Sequence, residues 1–157
     1  MSTAIIGTGF MASVHAEALA RIGVPVLGVV GSSPERAAAT GLAPVYASLD
    51  EALADDRVRT VHVCSPNHLH SGQALAALRA GRHVVCEKPL AMTSDQAREL
   101  RDVAAESGLV HAVCFINRFY PLCGEAAARV ASGSVGAVRL VTGGYLQDWL
   151  SKDTDWN

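Results

Sequence analysis

Short runs rich in β-branched residues alternate along this chain with alanine-rich amphipathic stretches. This alternation is typical of right-handed βαβ units built around a parallel sheet. The strand-like runs cover residues 3–6, 26–30, a short piece near Val45, 60–64, 83–86 and 110–115. We therefore expect an α/β fold with a doubly wound, mostly parallel sheet of about six strands.

The sequence also marks where several helices begin and end. A serine or threonine followed three residues later by glutamate or glutamine predicts a capping box, and glycine is typical of a helix end. The marked boundaries are Ser33 with Pro34 and Gly41, Ser48 with Glu51, and Thr93 with Gln96 and Gly108. On the first helix, the apolar stripe expected to face the sheet comprises Met11, Val14, Ala18 and Ile22.

Composition narrows the class of protein. A formal net charge of -2, with acidic and basic residues interspersed, gives no electrostatic reason to expect nucleic acid or an anionic membrane as a partner. The N-terminal apolar run is too short for a signal peptide or a membrane span. Without a C-x-x-C pair, the four cysteines are expected to be reduced and buried in a cytoplasmic protein. They are Cys64, Cys86, Cys114 and Cys123.

The last 37 residues differ from the pattern before them. A helix expected at about residues 122–131 leads into a strand-like run at 137–142, with no further strand after it to pair with. We interpret residues 1–120 as one domain and 121–157 as a connecting helix and the first strand of a second, substrate-binding domain that is otherwise missing. The alternative is a complete protein with a swapped or exposed final hairpin.

A glycine-rich turn, G-x-G-x-x-A, follows the first strand and leads directly into a helix. Gly7 permits the tight turn, Gly9 lets the backbone approach a pyrophosphate, and Ala12 allows close packing of helix against strand. Free amides at the helix start then face the phosphates. The alternative is that both glycines only serve packing within the turn.

The end of the second strand carries Ser32, Ser33 and Arg36 where an NAD-binding domain usually has an acidic residue. A guanidinium binds a 2′-phosphate that a carboxylate would repel, so this segment favours NADP over NAD. The alternative is that Ser33 is only a helix cap and Arg36 lies on a solvated face.

The sequence Glu87-Lys88-Pro89 comes where the fifth strand-like run ends, at the sheet edge where such folds bind ligands. An ammonium group there stabilises a developing alkoxide or hydrogen-bonds to a carbonyl, so Lys88 is the candidate catalytic residue. The alternative is a surface lysine paired with Glu87. A turn that aims Lys88 over a cofactor is compatible with a cis Lys88–Pro89 bond, which we state as a hypothesis.

Three motifs after successive strands, together with the glycine turn, resemble one family. They are Ser65-Pro66-Asn67-His68-Leu69-His70, Glu87-Lys88-Pro89 and Asn117-Arg118-Phe119. Over essentially its whole length the chain resembles the N-terminal half of the Gfo/Idh/MocA oxidoreductases, which include glucose-fructose oxidoreductase and inositol dehydrogenase. The resemblance implies a Rossmann domain that binds NADP or NAD. It also implies hydride transfer to or from a hydroxyl-bearing carbon of a sugar, cyclitol or related polyol.

The resemblance also assigns roles to individual residues. The pyrophosphate would be held by Gly7, Gly9, Phe10 and Met11, and the adenosine ribose by Ser32, Ser33 and Arg36. Ser65, Pro66, Asn67 and His70 would flank the cofactor, with Glu87 and Lys88 beside its nicotinamide ribose and ring. The family's second catalytic group is usually a histidine near an aspartate in the second domain, and this sequence ends before that motif.

Other polar residues have less specific interpretations. His68 and His70 form an H-x-H pair, but residues two apart at a helix start point in different directions, so no metal site is expected. Arg118 is expected either to contact cofactor or substrate or to fix the crossover into the next helix. His15 is expected to be packing or surface, and His62 to make a local hydrogen bond.

The main functional hypothesis is an NAD(P)-dependent oxidoreductase represented by its cofactor-binding half, which binds cofactor but has little or no turnover in isolation. The alternative is a non-catalytic NAD(P)-binding sensor or partner module whose terminal strand pairs with a second copy to give a homo-oligomer. A methyltransferase with a similar glycine turn is a weaker third hypothesis, because it gives Glu87-Lys88-Pro89 no role.

Overall fold

The structure is a computed structural model that describes residues 1–146. Within these residues, five parallel strands form one sheet. The strands are β1 (Thr3–Ile6), β2 (Val26–Val30), β3 (Thr60–Val63), β4 (His83–Cys86) and β5 (His111–Val113). Their order across the sheet is β2-β1-β3-β4-β5. Because the order reverses on either side of β1, the sheet is doubly wound as expected.

Six α-helices lie within residues 1–146, and the first five of them pack on the two faces of the sheet. They are α1 (Phe10–Arg21), α2 (Pro34–Ala38), α3 (Leu49–Ala54), α4 (His70–Arg79), α5 (Ser94–Ser107) and α6 (Pro121–Ala131). Short 3-10 helices cover Asn67–Leu69 and Ile116–Phe119. The chain divides into two units, Met1–Phe115 with the whole sheet and Ile116–Asn157 with α6. Within the described residues, no helix has the length and hydrophobicity needed to cross a bilayer.

The core has two layers because successive side chains of a strand point to opposite faces. Ile5 packs on one face with residues of α1 and α2, including the fully buried Ala12 and Ala37. Ile6 packs on the other face with residues of α4 and α5, such as Leu78 and Leu100. Small side chains on the helices allow them to approach the sheet closely.

The buried stripe of α1 is displaced from the one expected. Ala12, His15 and Leu19 are buried, whereas Val14 and Ile22 are exposed. In an alanine-rich helix several faces carry apolar residues, so periodicity alone did not select the correct one. The face that packs is the one that carries Ala12, whose small side chain allows the close approach to the sheet.

The predicted caps are largely confirmed. Thr93 and Gln96 form a complete capping box, and Gly108 ends the helix with a φ of 65°. The Ser48 hydroxyl accepts from the Glu51 amide, but the Glu51 carboxylate accepts from the amide of residue 47 instead of closing the box. Ser33 caps α2 as expected.

Four further expectations differ from the structure. The helix that Ser33 caps ends at Ala38, before Gly41, and the piece near Val45 forms only an isolated bridge with Val29. Residues 137–142 form no strand, because a strand depends on pairing and no described segment pairs with them. All four cysteines are free as predicted, and Cys64 and Cys86 are buried, but Cys114 is only partly buried and Cys123 is exposed.

Candidate functional site

The register of the sheet brings the glycine turn, the segment that follows β3 and Glu87-Lys88-Pro89 to one edge. The Gly7 amide donates to the Val30 carbonyl at 2.8 Å, and the Glu87 amide donates to the Val63 carbonyl at 2.9 Å. The Cys114 amide donates to the Cys86 carbonyl at 2.8 Å. The residues immediately after β1, β3, β4 and β5 therefore lie side by side at the carboxyl ends of the strands, where doubly wound folds bind ligands.

Glycine suits the two positions of the first turn, 7 and 9, for different physical reasons. Gly7 has a φ of 123°, and a Cβ there would lie 2.3 Å from the Cys64 carbonyl oxygen. At Gly9 a Cβ would meet no atom within 4 Å, so this residue faces open space. No side chain caps α1, which begins at the exposed Phe10. An open cradle before an uncapped helix start suits a bound pyrophosphate.

The segment after β2 lies beside this turn. A Cβ at Gly31 would lie 3.0 Å from Cγ2 of Thr8, so the two segments are in close contact. The Ser33 hydroxyl accepts from the Arg36 amide at 3.3 Å, as a helix cap does. Ser32 and Arg36 are exposed, and the Arg36 guanidinium forms no salt bridge with residues 1–146.

Glu87 and Lys88 point into opposite environments. Glu87 is only 5% exposed, its Oε1 atom lies 3.0 Å from His15 Nε2, and its Oε2 atom accepts from the Lys88 amide at 3.2 Å. The Lys88 side chain is exposed and has no carboxylate partner within the described chain. The surface pairing considered for Glu87 and Lys88 is therefore not formed. The Lys88–Pro89 bond is cis, as hypothesised.

The sequence did not reveal the histidine pair next to Glu87, in which His15 is buried and His62 is partly buried. His15 Nδ1 lies 2.8 Å from His62 Nδ1, and the rings meet edge to face. Burial, together with the nearby His15, lowers the pKa of His62 to about 4. The missed signal was helical spacing: His15 lies three residues after Ala12 and four before Leu19, so it occupies the core-facing stripe.

His70 links two loops of the site. It is 1% exposed, and its Nδ1 and Nε2 atoms each lie 2.7 Å from a carbonyl oxygen, of Pro89 and Ser65 respectively. The Ser65 hydroxyl donates to the Gln73 side chain. Pro66 and Asn67 are exposed beyond Ser65. The imidazole of His70 therefore links the loop that follows β3 to the loop that follows β4.

One group of side chains within residues 1–146 has metal-ligand chemistry. Ligand atoms of His15, Glu87 and Cys114 lie within 4.8 Å of one another, with His15 Nε2 3.7 Å from the Cys114 sulfur. Burial, reinforced by the Glu87 charge, raises the pKa of the Cys114 thiol to about 11. Because a thiol binds metal as the thiolate, we interpret the group as hydrogen bonded. His68 is exposed and stands apart from the buried His70.

Arg118 belongs to the second unit, in the 3-10 helix Ile116–Phe119, and is exposed. Both interpretations of this residue stay predictions.

A doubly wound sheet with an open glycine turn and an exposed lysine at its carboxyl edge defines a dinucleotide-binding domain of the oxidoreductase class. The family model described as "Oxidoreductase family, NAD-binding Rossmann fold" matches residues 1–115. The chain therefore belongs to the Gfo/Idh/MocA oxidoreductase family.

Individual relatives agree with this assignment. A levoglucosan dehydrogenase of Pseudarthrobacter phenanthrenivorans is 32% identical over 95% of this chain and 42% of its own length. A scyllo-inositol 2-dehydrogenase (NADP(+)) of Bacillus subtilis is 32% identical over 92% of this chain and 45% of its own length. The crystal structure of GenD2 from gentamicin A biosynthesis, in complex with NAD, matches with a TM-score of 0.79 and 36% identity. That match covers 85% of this chain and 40% of the other. The chain thus spans less than half the length of these relatives.

Proposed function

We propose that this chain is the cofactor-binding half of an NAD(P)-dependent oxidoreductase. The whole enzyme would transfer a hydride between the cofactor and a hydroxyl-bearing carbon of a sugar, cyclitol or related polyol. The observation that carries the proposal is the exposed Lys88, which pairs with no carboxylate of residues 1–146 and follows a strand at the same sheet edge as the glycine turn, next to the buried Glu87. The names of the relatives, which include a levoglucosan and a scyllo-inositol dehydrogenase, support the substrate class.

Residues of the described chain suit the parts of a dinucleotide. Gly7, Gly9 and the amides of Phe10 and Met11 would hold the pyrophosphate. Ser32, Ser33 and Arg36 would hold the adenosine ribose, and the guanidinium of Arg36, which forms no salt bridge with residues 1–146, favours a 2′-phosphate. Ser65, Pro66 and Asn67 would flank the nicotinamide side of the cofactor, and His70 would fix their loop through its contact with the Ser65 carbonyl. When bound, the cofactor supplies the hydride acceptor or donor.

Lys88 would act on the substrate oxygen rather than on the cofactor alone. Its ammonium donates hydrogen bonds to a hydroxyl or carbonyl oxygen and stabilises negative charge that develops there. Glu87 stays below the surface, bonded to His15 and to the Lys88 amide, so it neutralises none of this charge by direct pairing. A lysine held in this way orients a substrate hydroxyl, and a second group must take its proton.

Cofactor titration tests the proposal on the chain itself. Binding of NADPH and NADH is followed by nicotinamide fluorescence. The variant Gly9→Ala places a methyl group in the open cradle and is expected to weaken binding by roughly tenfold or more. The matched control is Gly124→Ala in α6, where an added Cβ also meets no atom within 4 Å. Equal binding by both variants would contradict the assigned pyrophosphate site.

Turnover separates an enzyme from a non-catalytic sensor. We expect the 157-residue chain to bind cofactor without oxidising polyols, and the full-length protein to oxidise members of a sugar and polyol panel. In the full-length protein, Lys88→Met should lower kcat on the order of 10² or more while cofactor binding persists. Full activity of Lys88→Met would contradict the catalytic role of Lys88, whereas no activity of the unaltered full-length protein toward the panel would favour the sensor.

A further inference from the structure

We infer that His15 is a positioning residue for the nicotinamide side of the site, because it anchors the Glu87 carboxylate that in turn holds the Lys88 turn. This inference rests on the proposed cofactor site. It adds to that site a residue of α1 that lies outside the three motifs at the sheet edge.

The anchoring is carried by a continuous chain of hydrogen bonds. His62 Nδ1 lies 2.8 Å from His15 Nδ1, and His15 Nε2 lies 3.0 Å from Glu87 Oε1. Glu87 Oε2 then accepts from the Lys88 amide at 3.2 Å. Both carboxylate oxygens are therefore occupied, and neither is left to rotate toward the exposed Lys88 ammonium.

The chemistry of the groups fixes the direction of each bond. A carboxylate only accepts, so His15 Nε2 carries a hydrogen and donates it to Glu87. A neutral His15 then accepts at Nδ1 from the His62 N–H, while a protonated His15 donates at both nitrogens. In either state the bond to Glu87 is kept, because it depends only on the hydrogen at Nε2.

Burial makes this anchor costly to lose. His15 and Glu87 are 7% and 5% exposed, so water does not replace a missing partner easily. A buried carboxylate without its donor seeks another positive partner, and the nearest exposed one along the chain is the Lys88 ammonium. Loss of the His15 bond is therefore expected to displace the whole Lys88 turn, backbone included, toward the nicotinamide position, which is a larger change than removal of the Lys88 ammonium alone.

Two amide substitutions separate the contacts of His15. The Gln side chain places its amide near the position of Nε2, and the Asn side chain near that of Nδ1. His15→Gln therefore keeps a donor for Glu87 and loses His62, whereas His15→Asn keeps a partner for His62 and loses Glu87. Glu17→Gln, on the exposed face of the same helix, serves as the control.

The readout compares two probes, NADH and ADP-ribose, which differ in the nicotinamide ring that ADP-ribose lacks. We expect His15→Asn to weaken NADH binding about tenfold and leave ADP-ribose binding unchanged, while His15→Gln recovers most of the NADH affinity. If His15→Asn does not fold, Glu87→Gln should give the same selective loss. Equal weakening of both probes, or an unchanged ratio, would overturn the inference. Failure of the unaltered chain to bind either probe would instead overturn the proposed function.

Discussion

His15 and His62 approach each other through the same ring atom, with their Nδ1 atoms 2.8 Å apart beneath Glu87. Only one hydrogen fits between two such nitrogens. The pair therefore tolerates a proton on one ring, but a second positive charge would remove the hydrogen bond and add repulsion.

This relationship predicts that acid destabilises the domain through His62. Burial and the adjacent His15 lower the pKa of His62 from 6.5 to about 4. Between these values the unfolded chain binds more protons than the folded one, so stability is present above about pH 6.5 and decreases as the pH falls. The loss approaches on the order of 2 to 3 kcal/mol near about pH 4.

Urea unfolding across this pH range measures the effect. His62→Asn retains a polar group near the position of Nδ1 but does not titrate, so its free energy of unfolding should depend less on pH. Curves with the same pH dependence for both proteins would show that His62 is not responsible.

Gly7 and Gly9 should respond differently to alanine. In Gly7→Ala the φ of 123° is strained and the new methyl meets the Cys64 carbonyl, so we expect a loss of about 2 to 4 kcal/mol in the free energy of unfolding. Gly9→Ala has a φ of -84° and open space, so its stability should change by less than about 1 kcal/mol. Thermal denaturation without cofactor tests this contrast, which equal losses would contradict.

Arg36 should distinguish the two cofactors. Arg36→Ala is expected to weaken NADPH binding about tenfold, because the guanidinium proposed to bind the 2′-phosphate is lost, and to leave NADH binding nearly unchanged. Arg59→Ala removes an exposed guanidinium just before β3, at the opposite end of the strands, and should change neither. Equal effects on NADPH and NADH would remove the argument for NADP.

The capping box of α5 gives a prediction independent of the site. Thr93→Ala removes the acceptor for the Gln96 amide and should lower the free energy of unfolding by about 1 kcal/mol. Adding Gln96→Ala should cost less than the sum of the single losses, because the two side chains act reciprocally. A double-mutant cycle in urea measures this coupling, and additive losses would argue against it.

Local signals in the sequence were sufficient wherever the determining contact was itself local. Ser33 and Thr93 cap helices through residues three positions away, so their roles were readable before the fold was known. The strands followed from runs of β-branched residues. Lys88 could be placed because a residue that follows a parallel strand must lie at the shared edge of the sheet.

Contacts between distant segments could not be predicted in the same way. The bond from His15 to Glu87 joins residues 72 positions apart, and neither residue carries a local sign of the other. The piece near Val45 resembled a strand in composition, but pairing with Val29 decided how much of it formed. Residues 137–142 also resembled a strand in composition, yet they adopt no regular structure.

The tight packing around Gly31 limits how the cofactor preference of this domain can be redesigned. A side chain at position 31 would press on Thr8 and on the backbone of α2, so it would disturb the pyrophosphate turn while altering the adenosine end. The exposed positions Ser32 and Arg36 carry no such penalty. On the proposed assignment of Ser32 and Arg36 to the adenosine ribose, we therefore expect that one nicotinamide cofactor can be exchanged for the other at those two positions, provided the glycine before them is kept.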